Sequence, residues 1–211
     1  MFLITELVII GITGILLVHA IQEKSPEFAL YFWLGGAWFG FIRELLVANY
    51  SHLYMYGGFT IWLFKVPVIF LVFWTNFTYV AFVWSENALN ETVMKNGRSP
   101  GPNFYPLMFL ILVVLGIMVE AFGSQFQMIY WQIDSPYTLW GGVPVVIPFS
   151  YGLMGILYLA GFREIWTTIQ DPVKRAYHLT AWAPLLVLVH LGALFLVKIA
   201  TDIFSGQLKL H

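Results

Sequence analysis

Apolar runs of about 20 residues recur along almost the whole chain, and they constrain its fold more than any other feature. A helix of that length crosses the roughly 30 Å of hydrocarbon in a bilayer. The composition agrees, because 60% of the residues are hydrophobic, 10% are charged and the mean hydropathy is +0.80. We therefore predict an all-α fold, a polytopic membrane helix bundle that forms a single domain over residues 1–211.

The positions of these runs predict about six transmembrane helices. Ser25-Pro26-Glu27 has the features of a helix start, because its hydroxyl can cap the helix and proline is tolerated in the first turn. The first run lacks the basic segment and cleavage site of a signal peptide, so we expect it to be retained. The predicted spans are 3–21, 27–48, 61–84, 105–124, 143–165 and 178–203.

Basic residues in the connecting segments predict the orientation, because cytoplasmic loops are enriched in Lys and Arg. With an even number of spans, both termini are then expected outside, in what we predict to be the plasma (inner) membrane of a prokaryote. The more basic side, predicted to be cytoplasmic, carries Lys24, Lys95, Arg98, Arg163, Lys174 and Arg175.

Two stretches of the chain share a pattern of residues. Glu44 is followed ten residues later by Tyr54, and Glu120 is followed ten residues later by Tyr130. A Val-Pro-Val triplet then follows in each stretch, with one additional residue before the second triplet. We interpret this as a parallel internal repeat of two helices, with its axis along the membrane normal. The predicted copies are about 27–84 and about 105–165, and they place both acids at a similar depth on the outer side.

Glu44 and Glu120 are the leading candidates for catalytic residues. An ionisable side chain within a span is costly and is therefore a functional hypothesis by default. A desolvated carboxyl tends to stay protonated, as a general acid requires, whereas a nearby Arg43 would oppose this. The alternative is that both acids lie at the outer headgroup level, paired or solvated. Further ionisable candidates are Arg43, His52, Lys65, Asp134 and His190.

Aromatic residues make up 18% of the chain, more than interfacial belts require. Aromatic walls suit long, flat, apolar ligands such as polyenes or quinones. The aromatic segments 45–66 and 121–142 are either interfacial or folded back as lids. Candidate substrate-binding residues in and beside them are Tyr54, Trp62, Tyr130, Trp131 and Trp140.

Several functional classes fit the sequence poorly. The absence of cysteine excludes disulfides and thiolate ligands, and a net charge of −1 argues against a nucleic-acid partner. The histidines do not pair at one depth as bis-histidine haem ligation requires, and no Glu-x-x-His pair occurs. Lys198 is better explained as a lysine whose side chain extends to the membrane interface than as a lysine that forms a Schiff base with a ligand. We therefore predict no cofactor and no metal site.

The segments Arg43-Glu44 to Val66-Pro67-Val68 and Glu120 to Val143-Pro144-Val145 resemble the integral-membrane carotenoid biosynthesis family that includes bisanhydrobacterioruberin hydratase. The resemblance covers spans two to five. It implies hydration of a terminal carbon–carbon double bond of an acyclic carotenoid without a redox cofactor. Glu120 would then be the acid and Glu44 the base, with Tyr54, Tyr130 and Trp131 lining the site of the carbocation.

Two other classes of function remain open. A non-catalytic subunit that binds pigment, quinone or lipid within a larger membrane complex would have the acids near lipid or solvent. A small proton-coupled transporter would have a polar path to the cytoplasmic face. If the protein is a hydratase, we expect one cavity that reaches both Glu44 and Glu120. The expected partners are membrane lipid and a hydrophobic isoprenoid or pigment and, for a subunit, other membrane proteins.

Overall fold

The described part of the chain, residues 2–47, 54–94, 99–131, 137–139 and 143–204 of a computed structural model, is a bundle of six helices. This confirms the prediction of a mainly helical bundle. Five of the helices, all except α2, are long and apolar enough to cross a membrane, which suggests an integral membrane protein. The helices are α1 (Phe2–Glu23), α2 (Pro26–Leu46), α3 (Val68–Leu89), α4 (Phe104–Gln125), α5 (Val146–Thr168) and α6 (Pro172–Phe204).

Local sequence explains where the helices begin. The predicted start of α2 is confirmed, since the Phe28 N–H donates to Ser25 Oγ at 3.0 Å. Helix α6 begins at Pro172, earlier than the predicted 178, because the Asp171 carboxylate accepts a hydrogen bond of 2.8 Å from the Lys174 N–H. Proline at the first helical position has no N–H to leave unpaired, so it suits this start.

Helix α3 begins at Val68 rather than at the predicted residue 61, because a short hairpin precedes it. Its strands are β2 (Trp62–Leu63) and β3 (Val66–Pro67), which pair antiparallel. Phe64 and Lys65 at the turn have φ of 47° and 66°. Two successive positive φ angles are the geometry of a tight hairpin turn. The residues of this hairpin are apolar, so the predicted span began earlier in the sequence than the helix does.

The helices run up and down through the bundle. Helix α2 packs on α3 and α6, α5 packs on α4 and α6, and α1 lies at the edge against α2 and α3. We call the end that holds the last turns of α2 and α4 the acid end, and the other the opposite end. The half of the bundle towards the opposite end is filled by stacked and edge-to-face rings, which include Phe28, Phe32, Tyr79, Phe82 and Phe162.

A two-stranded ribbon lies at the acid end. Strand β1 (Tyr54–Tyr56) follows α2, and strand β4 (Ile129–Trp131) follows α4. They pair antiparallel with Tyr54 opposite Trp131 and Met55 opposite Tyr130. The described parts of the two aromatic segments therefore meet in one ribbon above the helices that carry Glu44 and Glu120.

Candidate functional site

Glu44 is fully buried near the end of α2 and is surrounded by hydrogen-bond donors. Its Oε2 accepts from the hydroxyls of Tyr54 and Tyr56, which lie on the same face of β1. Its Oε1 accepts from the Trp74 indole N–H at 2.9 Å and from the Arg43 guanidinium. Four donors on one buried carboxyl, one of them the Arg43 guanidinium, fix its orientation.

Arg43 supplies the positive charge beside Glu44 and is itself only 2% exposed. Its Nη1 donates to Glu44 and, at 2.5 Å, to the Tyr54 hydroxyl. Its guanidinium carbon lies 4.9 Å from the centre of the Trp74 ring, a cation–π distance. Its Nε has no hydrogen-bond partner among the residues that the structure describes. Arg43 and Glu44 thus form a buried ion pair.

The two tyrosines of β1 lie beyond the end of α2 and remain phenols. Burial is the main cause that raises the pKa of Tyr54 and of Tyr56 well above the usual value. The neighbouring Glu44 carboxylate raises both pKa values further, and Arg43 opposes it. Both hydroxyls therefore act as neutral donors to Glu44.

Glu120 is also buried, at 2% exposure, but its surroundings differ from those of Glu44. Its Oε1 accepts a hydrogen bond from the Tyr151 hydroxyl. Its Oε2 has no partner within the described ranges. The ring of Tyr151 lies against the ring of Trp74, with 4.2 Å between the centroids. The two acids are therefore joined through one pair of aromatic side chains, each of which donates to one acid.

His190 brings α6 into the same region. It is fully buried, and its Nε2 lies 2.9 Å from the hydroxyl of Ser150, the residue before Tyr151. Its Nδ1 has no partner among the side chains described. Helix α6, which carries His190, packs against α5 and against α2, which carries Arg43. We call these residues the acid cluster: Arg43, Glu44, Tyr54, Tyr56, Trp74, Glu120, Ser150, Tyr151 and His190.

The predicted substrate-binding residues are spread over the acid end. Tyr54 belongs to the acid cluster, whereas Trp62 is 43% exposed and donates to the Phe59 carbonyl. Tyr130 is also 43% exposed and lies opposite the exposed Met55, on the face of the ribbon away from Tyr54. The structure describes the backbone of Trp131, which pairs with Tyr54. Trp140, His52 and Asp134 lie outside the described residues.

Trp74, Tyr151, Tyr56 and Ser150 were not predicted as site residues. The similar spacing in the two stretches contained a signal for two of them, because Trp74 is the sixth residue after Val68 and Tyr151 is the sixth after Val145. Both positions lie two turns into a helix that packs against the helix carrying the acid. Extending the comparison of the two stretches into α3 and α5 would have identified this pair of donors.

An apolar groove runs along the bundle between α1, α3 and α4, close to the acid cluster. A part of about 330 Å³ at the acid end continues into a part of about 210 Å³, and the two share Ile9 and Phe73. Neither acid is among the described residues that line these two parts, so neither part is the cavity reaching both acids that a hydratase was expected to have. Phe73 lies 6.0 Å from the Trp74 ring, and Phe77 lies 6.2 Å from the Tyr151 ring. One layer of rings therefore separates the groove from the acid cluster.

The described ranges contain no group of three or more His, Asp or Glu residues that could hold a metal ion. Comparisons of the chain with protein-family models, curated proteins and solved structures found no match.

Proposed function

We propose that the protein is a membrane enzyme that performs acid–base chemistry on a hydrophobic isoprenoid, and that it hydrates a carbon–carbon double bond of an acyclic carotenoid. The observation that carries the proposal is the unequal environment of two buried carboxyls. Glu44 is paired with Arg43 and holds three further donors, whereas Glu120 has one donor and an unpartnered oxygen among the described residues. Two neighbouring acids in such different environments can take different roles in proton transfer.

Glu120 is the proton donor in this proposal. An isolated buried carboxylate is costly, so a carboxyl without a bonded cation carries its proton. The proton passes from Glu120 to one alkene carbon, and the electron pair of the double bond forms the new C–H bond. The other alkene carbon becomes a tertiary cation, which the faces of Trp74 and Tyr151 stabilise.

The second half of the reaction adds water. A lone pair of the water oxygen forms the C–O bond with the cation, and the water proton passes to the Glu120 carboxylate, which regenerates the acid. This revises the role that the sequence suggested for Glu44 as the base. Since four donors already occupy Glu44, it acts as a fixed negative charge that favours the cation.

The groove between α1, α3 and α4 provides a place for the chain of the substrate. Its lining is apolar and aromatic, and prenyl chains bind such walls through the burial of apolar area. A substrate end reaches Glu120 when the rings of Phe73 and Phe77 rotate aside. Membrane lipid occupies the groove when substrate is absent. From the basic residues of the opposite end we further propose that the acid end and both termini face outward from a prokaryotic inner membrane.

Two observations favour this function over the alternatives. A non-catalytic pigment-, quinone- or lipid-binding subunit was expected to have its acids near lipid or solvent, but Glu44 and Glu120 are 0% and 2% exposed. A proton-coupled transporter needs a polar path to the opposite end. The described core near the opposite end, where α2 begins, is packed with aromatic rings such as Phe28, Phe32 and Phe162.

Expression in a host that accumulates an acyclic polyene tests the proposal. The wild-type protein should convert the polyene to a product heavier by one water, and oxygen-18 from labelled water should enter the product. Glu120→Gln keeps an acceptor for Tyr151 but cannot donate a proton to an alkene, so it should abolish conversion. Glu164→Gln, at an exposed position on α5, is the matched control and should leave it intact. A folded wild-type protein that leaves the polyenes unchanged would overturn the proposal.

A further inference from the structure

Helices α1 and α3 line a seam that extends beyond the apolar groove towards the opposite end. The α1 residues in this seam follow one another at intervals of three or four positions, so they share one face of the helix. The groove covers this face from Thr5 to Leu16, and a second cavity of about 210 Å³ begins one turn later, at His19. The α1 residues of the seam are Thr5, Ile9, Ile12, Leu16, His19 and Glu23.

Helix α3 lines the seam in the same order. Val80 lines the groove, and Val83, one turn further along α3, lines the second cavity. The two helices pack against each other, and Asn76 of α3 donates to Thr13 of α1 at 2.7 Å beside the groove. The two cavities therefore lie one after the other along the same pair of helices.

The second cavity is polar, and we call it the head pocket. The Lys24 ammonium donates to Glu86 Oε2 at 2.5 Å, and the Val93 N–H donates to Glu86 Oε1 at 2.7 Å, so both oxygens of this acid are occupied. His19 Nδ1 lies 2.8 Å from the Tyr79 hydroxyl. These bonds hold a lysine and a histidine in place at the wall of the pocket. The lining residues are His19, Glu23, Lys24, Val83, Glu86 and Asn87.

The head pocket keeps polar groups of both kinds for a ligand. Lys24 has three N–H donors, and Glu86 takes one of them. When the Tyr79 hydroxyl donates to His19 Nδ1, the Nε2–H of His19 remains as a further donor. Glu23 is exposed and has no ion pair in the described part of the chain. The pocket thus offers N–H donors to an anionic group and a carboxylate to a cationic group, which is the complement of a zwitterion.

We propose that the seam binds one molecule of phosphatidylethanolamine, with its phosphate on Lys24 and His19 and its ammonium on Glu23. A primary ammonium can donate hydrogen bonds to a carboxylate, whereas the trimethylated ammonium of a choline headgroup has no N–H. A purely anionic headgroup suits the pocket less, because its two acids outnumber its one lysine. A volume of about 210 Å³, roughly seven times the share of one water in the liquid, suits a small headgroup.

The groove provides the place for one acyl chain of this lipid. Ten residues separate His19 from Ile9, which is about 15 Å of helix. This is half of the roughly 30 Å of hydrocarbon in a bilayer, the depth that the chains of one leaflet reach. The described lining over this length is apolar apart from Asn76. The chain therefore ends near Ile9, where the part of the groove at the acid end begins, and that part stays open to the substrate of the proposed function.

Native mass spectrometry of the full chain in detergent tests the headgroup. The protein is titrated separately with the dioleoyl forms of phosphatidylethanolamine, phosphatidylcholine and phosphatidylglycerol, which have the same acyl chains. We expect one molecule of phosphatidylethanolamine to bind at least tenfold more tightly than either other lipid. Glu23→Gln should reduce this preference at least fivefold, and Glu164→Gln, an exposed acid on α5, should keep it. Equal affinity for the three lipids, a preference for either of the other two, or an unchanged preference in Glu23→Gln would overturn the inference.

A matched pair of tryptophan substitutions on α1 tests the position of the acyl chain. Ile12 lines the groove, Ile15 is not among its described lining, and the two are 45% and 70% exposed. Ile12→Trp should fill the groove and weaken the binding of phosphatidylethanolamine at least fivefold, whereas Ile15→Trp should bind it as the wild type does. Unfolding temperatures without added lipid check that both variants fold. The same affinity in both would place the chain outside the groove and contradict the proposal. Neither test uses a polyene, so the result stands whether or not the protein is a hydratase.

Discussion

Trp74 and Tyr151 lie ring against ring with 4.2 Å between their centroids, and each donates a hydrogen bond to a different buried acid. The Trp74 indole N–H donates to Glu44, and the Tyr151 hydroxyl donates to Glu120. The two rings occupy corresponding places after the two Val-Pro-Val triplets. A displacement of either ring therefore disturbs both acids.

Gly116→Ala should displace Tyr151. A Cβ at residue 116 would lie 2.9 Å from Tyr151 Cγ and 3.1 Å from its Cβ, so the rigid base of the side chain has to move. Overpacking of this kind costs about 1 to 3 kcal/mol. We expect a lower unfolding temperature in detergent and a loss of polyene conversion. Gly14→Ala is the control, since a Cβ there meets nothing within 4 Å, and it should be neutral or slightly stabilising. Equal stability of the two variants would contradict the close packing of α4 on α5.

Arg43→Met should destabilise the fold by about 3 to 5 kcal/mol, because it leaves the Glu44 carboxylate buried without a cation. Adding Glu44→Gln should recover part of this loss. Glutamine carries no charge and still offers an oxygen to the Tyr and Trp donors. Unfolding temperatures of the single and double variants measure the recovery. A double variant less stable than Arg43→Met would show that Glu44 is not held as a carboxylate by Arg43.

The helices, and the presence of Glu44 and Glu120 within two of them, could be predicted from the sequence, because apolar length and a rare charge within a span are strong local signals. The start of α3 could not, because the hairpin before it is also apolar. We predicted Tyr130 as a substrate-binding residue because it follows Glu120 by ten residues, as Tyr54 follows Glu44. The ribbon instead sets Tyr54 opposite Trp131, one residue along β4 from Tyr130. A shift of one residue reverses the face on which a strand side chain lies, so Tyr130 is exposed.

The phenols of Tyr54 and Tyr56 predict a loss of stability at alkaline pH. Burial raises the pKa of both above the value of about 10 that tyrosine has in an unfolded chain. The folded state therefore keeps protons that the unfolded state releases above that pH. This contribution to stability is complete below pH of about 10 and falls as the pH rises further. Unfolding temperatures measured across this range should decline, and the decline should be shallower in Tyr54→Phe. The same slope in that variant and the wild type would show that Tyr54 does not contribute.

Tyr151→Phe and Tyr158→Phe separate catalysis from stability on one helix. Both tyrosines are buried on α5, but Tyr151 donates to Glu120 whereas Tyr158 donates to the Phe32 carbonyl at 2.5 Å. Each substitution removes one hydroxyl and keeps the ring, so each should lower stability by about 1 to 3 kcal/mol. Only Tyr151→Phe should also slow polyene conversion per folded molecule, because Glu120 then loses the donor that aims its carboxyl. If both variants keep the wild-type rate when corrected for folded protein, the Tyr151 hydroxyl has no role in positioning the acid. If Tyr158→Phe is as slow as Tyr151→Phe, the slowing reflects a general loosening of α5 rather than the contact with Glu120.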